Sequence, residues 1–198
     1  MKLIIIVKEL MIHISSFYNY YCDIIRLEVT NMDYKIRKQE REDCKDVVHI
    51  KTIAWNETYK GIVPDEYLDN LYYDEDERLI RAYEKFEDES IHQFVLIVDN
   101  EIVGFLGVGQ SVEEEYSDVG QIYAIYIINK YHGYGFGRKL VETGINELKK
   151  MGFDKMIICC LEGNPTNEFY KHMGGKLVNK KIYKKFNIPE NIYYYEKI

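Results

Sequence analysis

Proline is scarce, with 3 in 198 residues, and tryptophan occurs once. The four cysteines form no C-x-x-C pair: Cys159 and Cys160 are adjacent, and Cys22 and Cys44 stand alone. That excludes the usual zinc and redox spacings and any disulfide scaffold, and makes a reducing, cytoplasmic setting the default. No apolar run approaches the ~18 residues that a spanning helix needs, so no membrane segment is expected. The short run at residues 3–7 stops at Lys8 and Glu9 with no small-residue cleavage site behind it, so it does not read as a secretory signal. Positive charge is also in deficit. A net charge of −7 argues against general nucleic-acid binding. His49, His92 and His172 have no metal-ligand spacing, so no metal site is expected. Composition excludes collagen-like, coiled-coil and disordered classes.

What remains is a chain of one-domain length, 46% hydrophobic and 30% charged, able to build a core without staples. Its charge is segregated. Residues 1–64 carry 10 basic and 9 acidic side chains, residues 65–118 carry 3 and 17, and residues 119–198 carry 13 and 7. A solvated acidic helix followed by a soluble basic tail accounts for this pattern. So do two ligands of opposite sign meeting in one cleft.

Residues 1–31, rich in Ile, Tyr and Leu without a clear period, differ from the rest. They are expected to be a leader: an extra strand or helix, a partner-binding arm, or an upstream translated stretch. A single domain is expected over residues 32–198. Within it, residues 34–38 read as a strand with Ile36 inward. Residues 41–60 read as a helix, on the spacing of Cys44, Val47, Ile50 and Ala54, and residues 65–72 and 75–88 as two acidic helices. Residues 94–98 and 101–108 form a hairpin about Asp99-Asn100, with a loop at Glu113-Glu114-Glu115. Residues 122–128 form a central strand. Residues 136–151 form the clearest helix, with Leu140, Val141, Ile145, Leu148 and Met151 on one stripe. The apolar run 156–161 reads as a strand covered on both faces. Residues 165–173 are a short helix ended by Gly174-Gly175, and 176–181 and 192–196 are closing strands. That order defines an α/β layered domain with a mixed sheet.

The strongest chemical feature is a strand, a Gly-rich loop and a helix. Glycines 133, 135 and 137 let backbone approach a ligand closely. The helix behind them offers unpaired N–H groups and a partial positive charge, which suits phosphate or pyrophosphate. Arg138 adds a fixed cation. The spacing is neither the P-loop pattern G-x-x-x-x-G-K-[ST] nor the dinucleotide pattern G-x-G-x-x-G. A tight turn without a ligand would use the same glycines. The second feature is Asn164-Pro165 leading to Phe169-Tyr170. Asn164 is a good N-cap and Pro165 a good first helical residue, while Phe169 and Met173 are expected to pack inward. Tyr170 is either core or a proton donor aimed into a cleft.

Together these segments resemble the GNAT superfamily of acyl-CoA-dependent N-acetyltransferases, over roughly residues 34–197. His132-Gly133-Tyr134-Gly135-Phe136-Gly137, with Arg138 behind it, looks like the family's pyrophosphate loop. His132 stands where Gln or Arg is commoner. Ile125-Tyr126-Ile127 looks like the strand segment whose backbone pairs with the pantetheine arm. Asn164 and Phe169-Tyr170 resemble the later motif, in which the Asn contacts that arm and the Tyr lies near the thioester sulfur. Trp55 and Tyr59 fall in the acceptor-side helix region. The resemblance implies a mostly antiparallel mixed sheet with splayed fourth and fifth strands and helices on both faces. It also implies acetyl-CoA as co-substrate, no metal, and Tyr170 as the acid that protonates the leaving thiolate. A backbone N–H near Ile127 would stabilise the oxyanion. In many relatives a Glu on the fourth strand takes the amine's proton. Gln121 stands there and cannot, and neither Asp118 nor the Glu113–Glu115 run is a convincing substitute, so the base is unassigned.

The reading is transfer of an acetyl group to a small cationic amine such as a polyamine, in the cytoplasm, with a homodimer admitted. The rivals are a protein N-terminal or lysine acetyltransferase and a CoA-binding regulator without turnover. Cys159 and Cys160 are expected to be buried structural thiols. Tyr72, Tyr73 and Tyr123 are weaker candidates for an acceptor pocket.

Overall fold

The computed structural model describes residues 32–198; the leader expected at residues 1–31 lies outside them. A seven-stranded sheet runs in the order β1-β2-β3-β4-β5-β7-β6. The strands are β1 Tyr34–Lys38, β2 Ile91–Val98, β3 Glu101–Gln110, β4 Gly120–Ile127, β5 Met156–Leu161, β6 Lys176–Tyr183 and β7 Ile188–Tyr195. Every neighbouring pair is antiparallel except β4 and β5. The helices are α1 Cys44–Tyr59, α2 Asp65–Asn70, α3 Glu75–Glu87, α4 Phe136–Lys150 and α5 Thr166–His172.

The hairpin forms where the turn chemistry places it. Asp99 and Asn100 both take left-handed backbone, φ 50° and 67°, as a two-residue turn that follows strand twist requires. Helices cover both faces of the sheet. Val47 of α1 packs on Val95, Ile97 and Phe105 on one face. Leu140, Val141 and Leu148 of α4 pack on Leu106, Val108 and Ile122 on the other. Each of those three α4 side chains is fully buried, worth about 1.5–3 kcal/mol apiece. Arg78 of α3 donates to the Val48 and Leu71 carbonyls and to the Thr52 hydroxyl, which docks α3 on α1.

Several boundaries differ from the sequence expectation by a few residues, among them the following three. β2 begins at Ile91 rather than residue 94. A short 3-10 turn, Glu114–Tyr116, occupies part of the expected loop. β7 begins at Ile188 despite Pro189. Pro189 lies past the last partner on β5, where Leu161 faces Glu190, so its missing N–H is tolerated there.

One irregularity positions everything that follows. β4 and β5 pair over only three positions, from Gly120↔Met156 to Ile122↔Ile158. Beyond them β4 stays with β3 as far as Ile127, and β5 stays with β7 as far as Leu161. The two strands therefore part. The β3–β4 register also slips there: Val108 faces Ile122 and Gly107 faces Ala124, leaving Tyr123 as an extra residue. A bulge of this kind bends its strand. Alternate backbone groups of β4 beyond Ile122 face the gap instead of a neighbour.

Candidate active site

The gap opens into a cavity of about 630 Å³ that is lined from both faces of the sheet. β4 contributes residues 122–127, β5 contributes Ile158, Cys159 and Cys160, and α1 contributes Ala54, Glu57, Thr58 and Tyr59. The Gly-rich loop and the start of α4 close one end, and Asn164, Phe169 and Tyr170 close the flank.

At the loop, Gly133 and Gly135 have φ of 83° and 80°, backbone that L side chains rarely adopt. A Cβ at either position would meet nothing within 4 Å, so both face open space. The first hydrogen bond into α4 is Lys139 N–H to the Gly135 carbonyl. The amides of Phe136, Gly137 and Arg138 thus precede the helical ladder and have no carbonyl within it. Gly137 also lines the cavity, and a Cβ there would make ordinary contact, 3.4 Å, with the Phe169 ring. Arg138 lines the cavity and has no ion pair among the described residues. This set of amides, helix terminus and free cation fits a diphosphate.

His132 does not offer its own amide, which donates to the Asn129 carbonyl at 2.9 Å. Its Nε2–H donates to the Ile127 carbonyl at 2.8 Å, so the side chain staples the loop to the end of β4. Phe136 is fully buried in the core, and neither it nor Tyr134 is among the cavity-lining residues. At those two positions any ligand contact would come from backbone.

Tyr170 is buried, and its hydroxyl has no hydrogen bond among the described residues. Burial, followed by the nearby Cys160, Tyr59 and Tyr126, pushes its phenol well above the ordinary value. Burial also raises the Tyr59 phenol, and raises Tyr126 to about 12. Tyr59 accepts from Asn164 Nδ2 at 3.2 Å, and Tyr126 accepts from Trp55 Nε1 at 3.1 Å. Trp55 stands one layer behind the cavity wall, its ring centroid 4.5 Å from that of Tyr59. Tyr72 and Tyr73 are exposed outside the cavity, whereas Tyr123 lines it.

Cys159 and Cys160 also line the cavity, and burial lifts both thiols to about 12, which makes them poor nucleophiles. Gln121 is buried and held at both ends. Its Oε1 accepts from the Ser111 hydroxyl and the Val112 amide, each at 3.1 Å, and its Nε2 lies 3.9 Å from Cys159 Sγ. Glu57 escaped the sequence reading. It lines the cavity and accepts the Asn129 amide at 2.8 Å, tying α1 to the loop. Its spacing from Ala54 and Thr58 puts all three on one helical face, which is the signal that could have found it. Among the described residues, no group of three His, Cys, Asp or Glu side chains is arranged to hold a metal ion, and no helix is long and apolar enough to cross a membrane.

A parted strand pair with an anion cradle at one end and a buried phenol beside the gap is the layout of an acyl-carrier-dependent transferase. The comparisons give the family. Residues 54–174 match the acetyltransferase (GNAT) family model, so the chain belongs to that family and is an acyltransferase. It is 30% identical over 138 residues to the uncharacterized N-acetyltransferase YuaI of Bacillus subtilis (strain 168), covering 69% of this chain and 76% of that protein. Among solved structures, the fold is similar to PaiA N-acetyltransferase from Thermoplasma acidophilum in complex with coenzyme A. The TM-score is 0.66 at 18% identity, covering 82% of this chain and 99% of that one. It is likewise similar to YncA, a putative acetyltransferase from Salmonella typhimurium with acetyl-CoA. There the TM-score is 0.63 at 18% identity, covering 82% and 93%.

Proposed function

We propose that this acyltransferase moves an acetyl group from acetyl-CoA to a small cationic primary amine, a polyamine being the type. The observation that carries this is that the Gly133–Arg138 cradle, the free edge of β4 and the Tyr170 phenol all line one cavity. Two neighbours of the same fold, PaiA and YncA, hold coenzyme A and acetyl-CoA. The loop amides and Arg138 take the diphosphate. The pantetheine arm runs along residues 125–127 of β4, beside Asn164 and Phe169, and the thioester stops near Tyr170.

The uncharged amine attacks the thioester carbon directly. A gap-facing amide of β4, near Ile127, holds the oxygen as charge develops on it. Coenzyme A leaves as a thiolate and takes the Tyr170 proton, and the acylated nitrogen gives up its extra proton to restore the phenol. Burial, which raises the Cys159 and Cys160 thiols, disfavours charge on a departing sulfur in the same cavity as well. A thiolate made basic in this way is matched to a phenol whose own value is raised.

The acceptor side supports a cation. α2 and α3, which pack beside α1, carry eight acidic side chains, and Glu57 of α1 is a carboxylate on the cavity wall. Trp55, Tyr59, Tyr67 and Phe186 form an aromatic cluster there, and the Lys185 ammonium already sits 4.0 Å above the Tyr67 ring. Ammonium groups gain from such faces.

The test is thiol release from acetyl-CoA with a panel of diamines, amino acids, peptide N-termini and peptide lysines. Turnover greatest on diamines is the expected result. Preference for peptides would replace the acceptor class, and coenzyme A binding without turnover on any acceptor would overturn the reading.

A further inference from the structure

Two side chains of opposite charge line the cavity. Among the described residues of its wall, Arg138 is the only lysine or arginine and Glu57 the only aspartate or glutamate. Arg138 stands beside the glycine loop that suits a diphosphate. Glu57 stands on α1, the helix of the acceptor side. Its Oε2 accepts the Asn129 amide at 2.8 Å. Its Oε1 has no hydrogen bond, and the carboxylate has no ion pair, among the described residues. One bond thus fixes the side chain in place and leaves its other oxygen free to accept.

Exposure falls steeply along this face of α1. Glu57 is exposed. Ala54, also on the cavity wall, lies three positions back and is 2% exposed. That step is a rise of about 4.5 Å along the helix. Tyr170, beside which the thioester is placed, is buried as well. Glu57 therefore stands at the rim, and the reacting centre lies deeper. A nitrogen that sheds its proton and attacks at the depth of Tyr170 cannot also form an ion pair at the rim. A second ammonium on the same molecule can. Methylenes between the two nitrogens suit the uncharged wall, which includes Ala54, Ile125 and Ile158.

We propose that Glu57 binds the second, non-reacting ammonium of a diamine or polyamine acceptor, and so selects such acceptors over monoamines. This rests on the acetyl-transfer reading above. The bound ammonium keeps its proton throughout, and Glu57 takes no part in making or breaking bonds. The Asn129 amide holds the carboxylate ready, so little side-chain freedom is lost on binding. Water reaches the rim, so the attraction is modest and shows as selectivity rather than as tight binding.

The experiment measures kcat/KM for thiol release with 1,4-diaminobutane and with butylamine, in the full chain and in Glu57→Gln. Calorimetry follows coenzyme A affinity alongside. Gln has the same shape, and its carbonyl oxygen still accepts the Asn129 amide, so the substitution removes the charge and keeps the tie to the loop. The wild type should favour the diamine by about tenfold, and Glu57→Gln should lose that preference. The loss should fall on KM rather than kcat, with coenzyme A affinity within twofold. Glu57→Lys reverses the charge at the rim. It should turn the preference toward 4-aminobutanoate, whose carboxylate replaces the second ammonium, and it decides the matter alone if the Gln variant does not fold. A Gln variant that keeps the wild-type preference would overturn the assignment while sparing the transfer reading. So would a wild type equally active on both amines, or a Gln variant that loses coenzyme A affinity in parallel. A wild type that binds coenzyme A yet acetylates no amine would take both readings down.

Discussion

Asn164 reaches across the cavity to α1: its Nδ2 donates to the Tyr59 hydroxyl at 3.2 Å while its Oδ1 accepts the Thr166 amide at 2.8 Å. The expected N-cap role falls to Pro165 instead, but this one buried side chain bonds the first amide of α5, which carries Tyr170, and ties that helix to the helix on the acceptor side. Replacing Asn164 with Ala removes both bonds. The lost bond at the helix start alone costs about 1 kcal/mol, or a fall of roughly 2–4 °C in melting temperature. Coenzyme A affinity should drop about tenfold as the flank loosens. Tyr59→Phe removes only the bond across the cavity and should leave that affinity within twofold. Calorimetry and thermal unfolding of the two variants check the difference, and equal affinities would show that the bond at the helix start does not shape the cavity.

Tyr170→Phe is the sharpest test of the leaving-group step. The hydroxyl has no partner to lose among the described residues, so the variant should fold and bind coenzyme A as the wild type does. Turnover should fall by about 10²–10⁴-fold if the phenol supplies the proton. A normal rate of thiol release would strip Tyr170 of that role and return it to the core, where its ring already meets Phe169 and Tyr193 at 5.6 and 6.0 Å.

Gly135→Val combines two penalties. The residue's φ of 80° disfavours any side chain, at about 1–2 kcal/mol, and the new side chain projects into space that the diphosphate would occupy. The expected result is a melting temperature lower by a few degrees and no measurable heat on titrating coenzyme A. Binding at wild-type strength would mean that the cradle is elsewhere.

The parts of this molecule governed by short-range rules were legible in the sequence. The Asp99-Asn100 turn, the stripe on α4 and the glycine spacing before it each depend on residues within one or two turns of one another. Glu57 and Cys160 were not assigned to the cavity, because the cavity exists only where β4 and β5 part, and that separation follows from a three-position pairing and a bulge opposite β3. Pro189 hid the start of β7 because a local rule about strand prolines carries no information on where the neighbouring strand ends. Trp55 was placed on the right helix but one layer too far forward, since its Nε1 is spent on Tyr126, 71 positions away.

One buried carboxylate ties the stability of the fold to pH. Glu147 of α4 is a carboxylate only 4% exposed, bonded to His92 at 2.7 Å and Lys150 at 2.9 Å, with Lys38 at 3.3 Å. Burial alone would push its pKa up, but the bonds from Lys150, His92 and Lys38 prevail and bring it down to about 2. A carboxyl whose folded pKa is depressed stabilises the fold above its unfolded value, near 4.5, and loses that contribution as pH falls through the folded value. The loss between pH 5 and pH 2 should be on the order of 3 kcal/mol. Glu147→Gln has no such proton to take up. The stability gap between wild type and this variant, read from urea unfolding at successive pH values, should therefore narrow steadily over that range. A gap that stays constant from pH 5 to pH 2 would mean that the Glu147 carboxyl titrates normally in the folded protein.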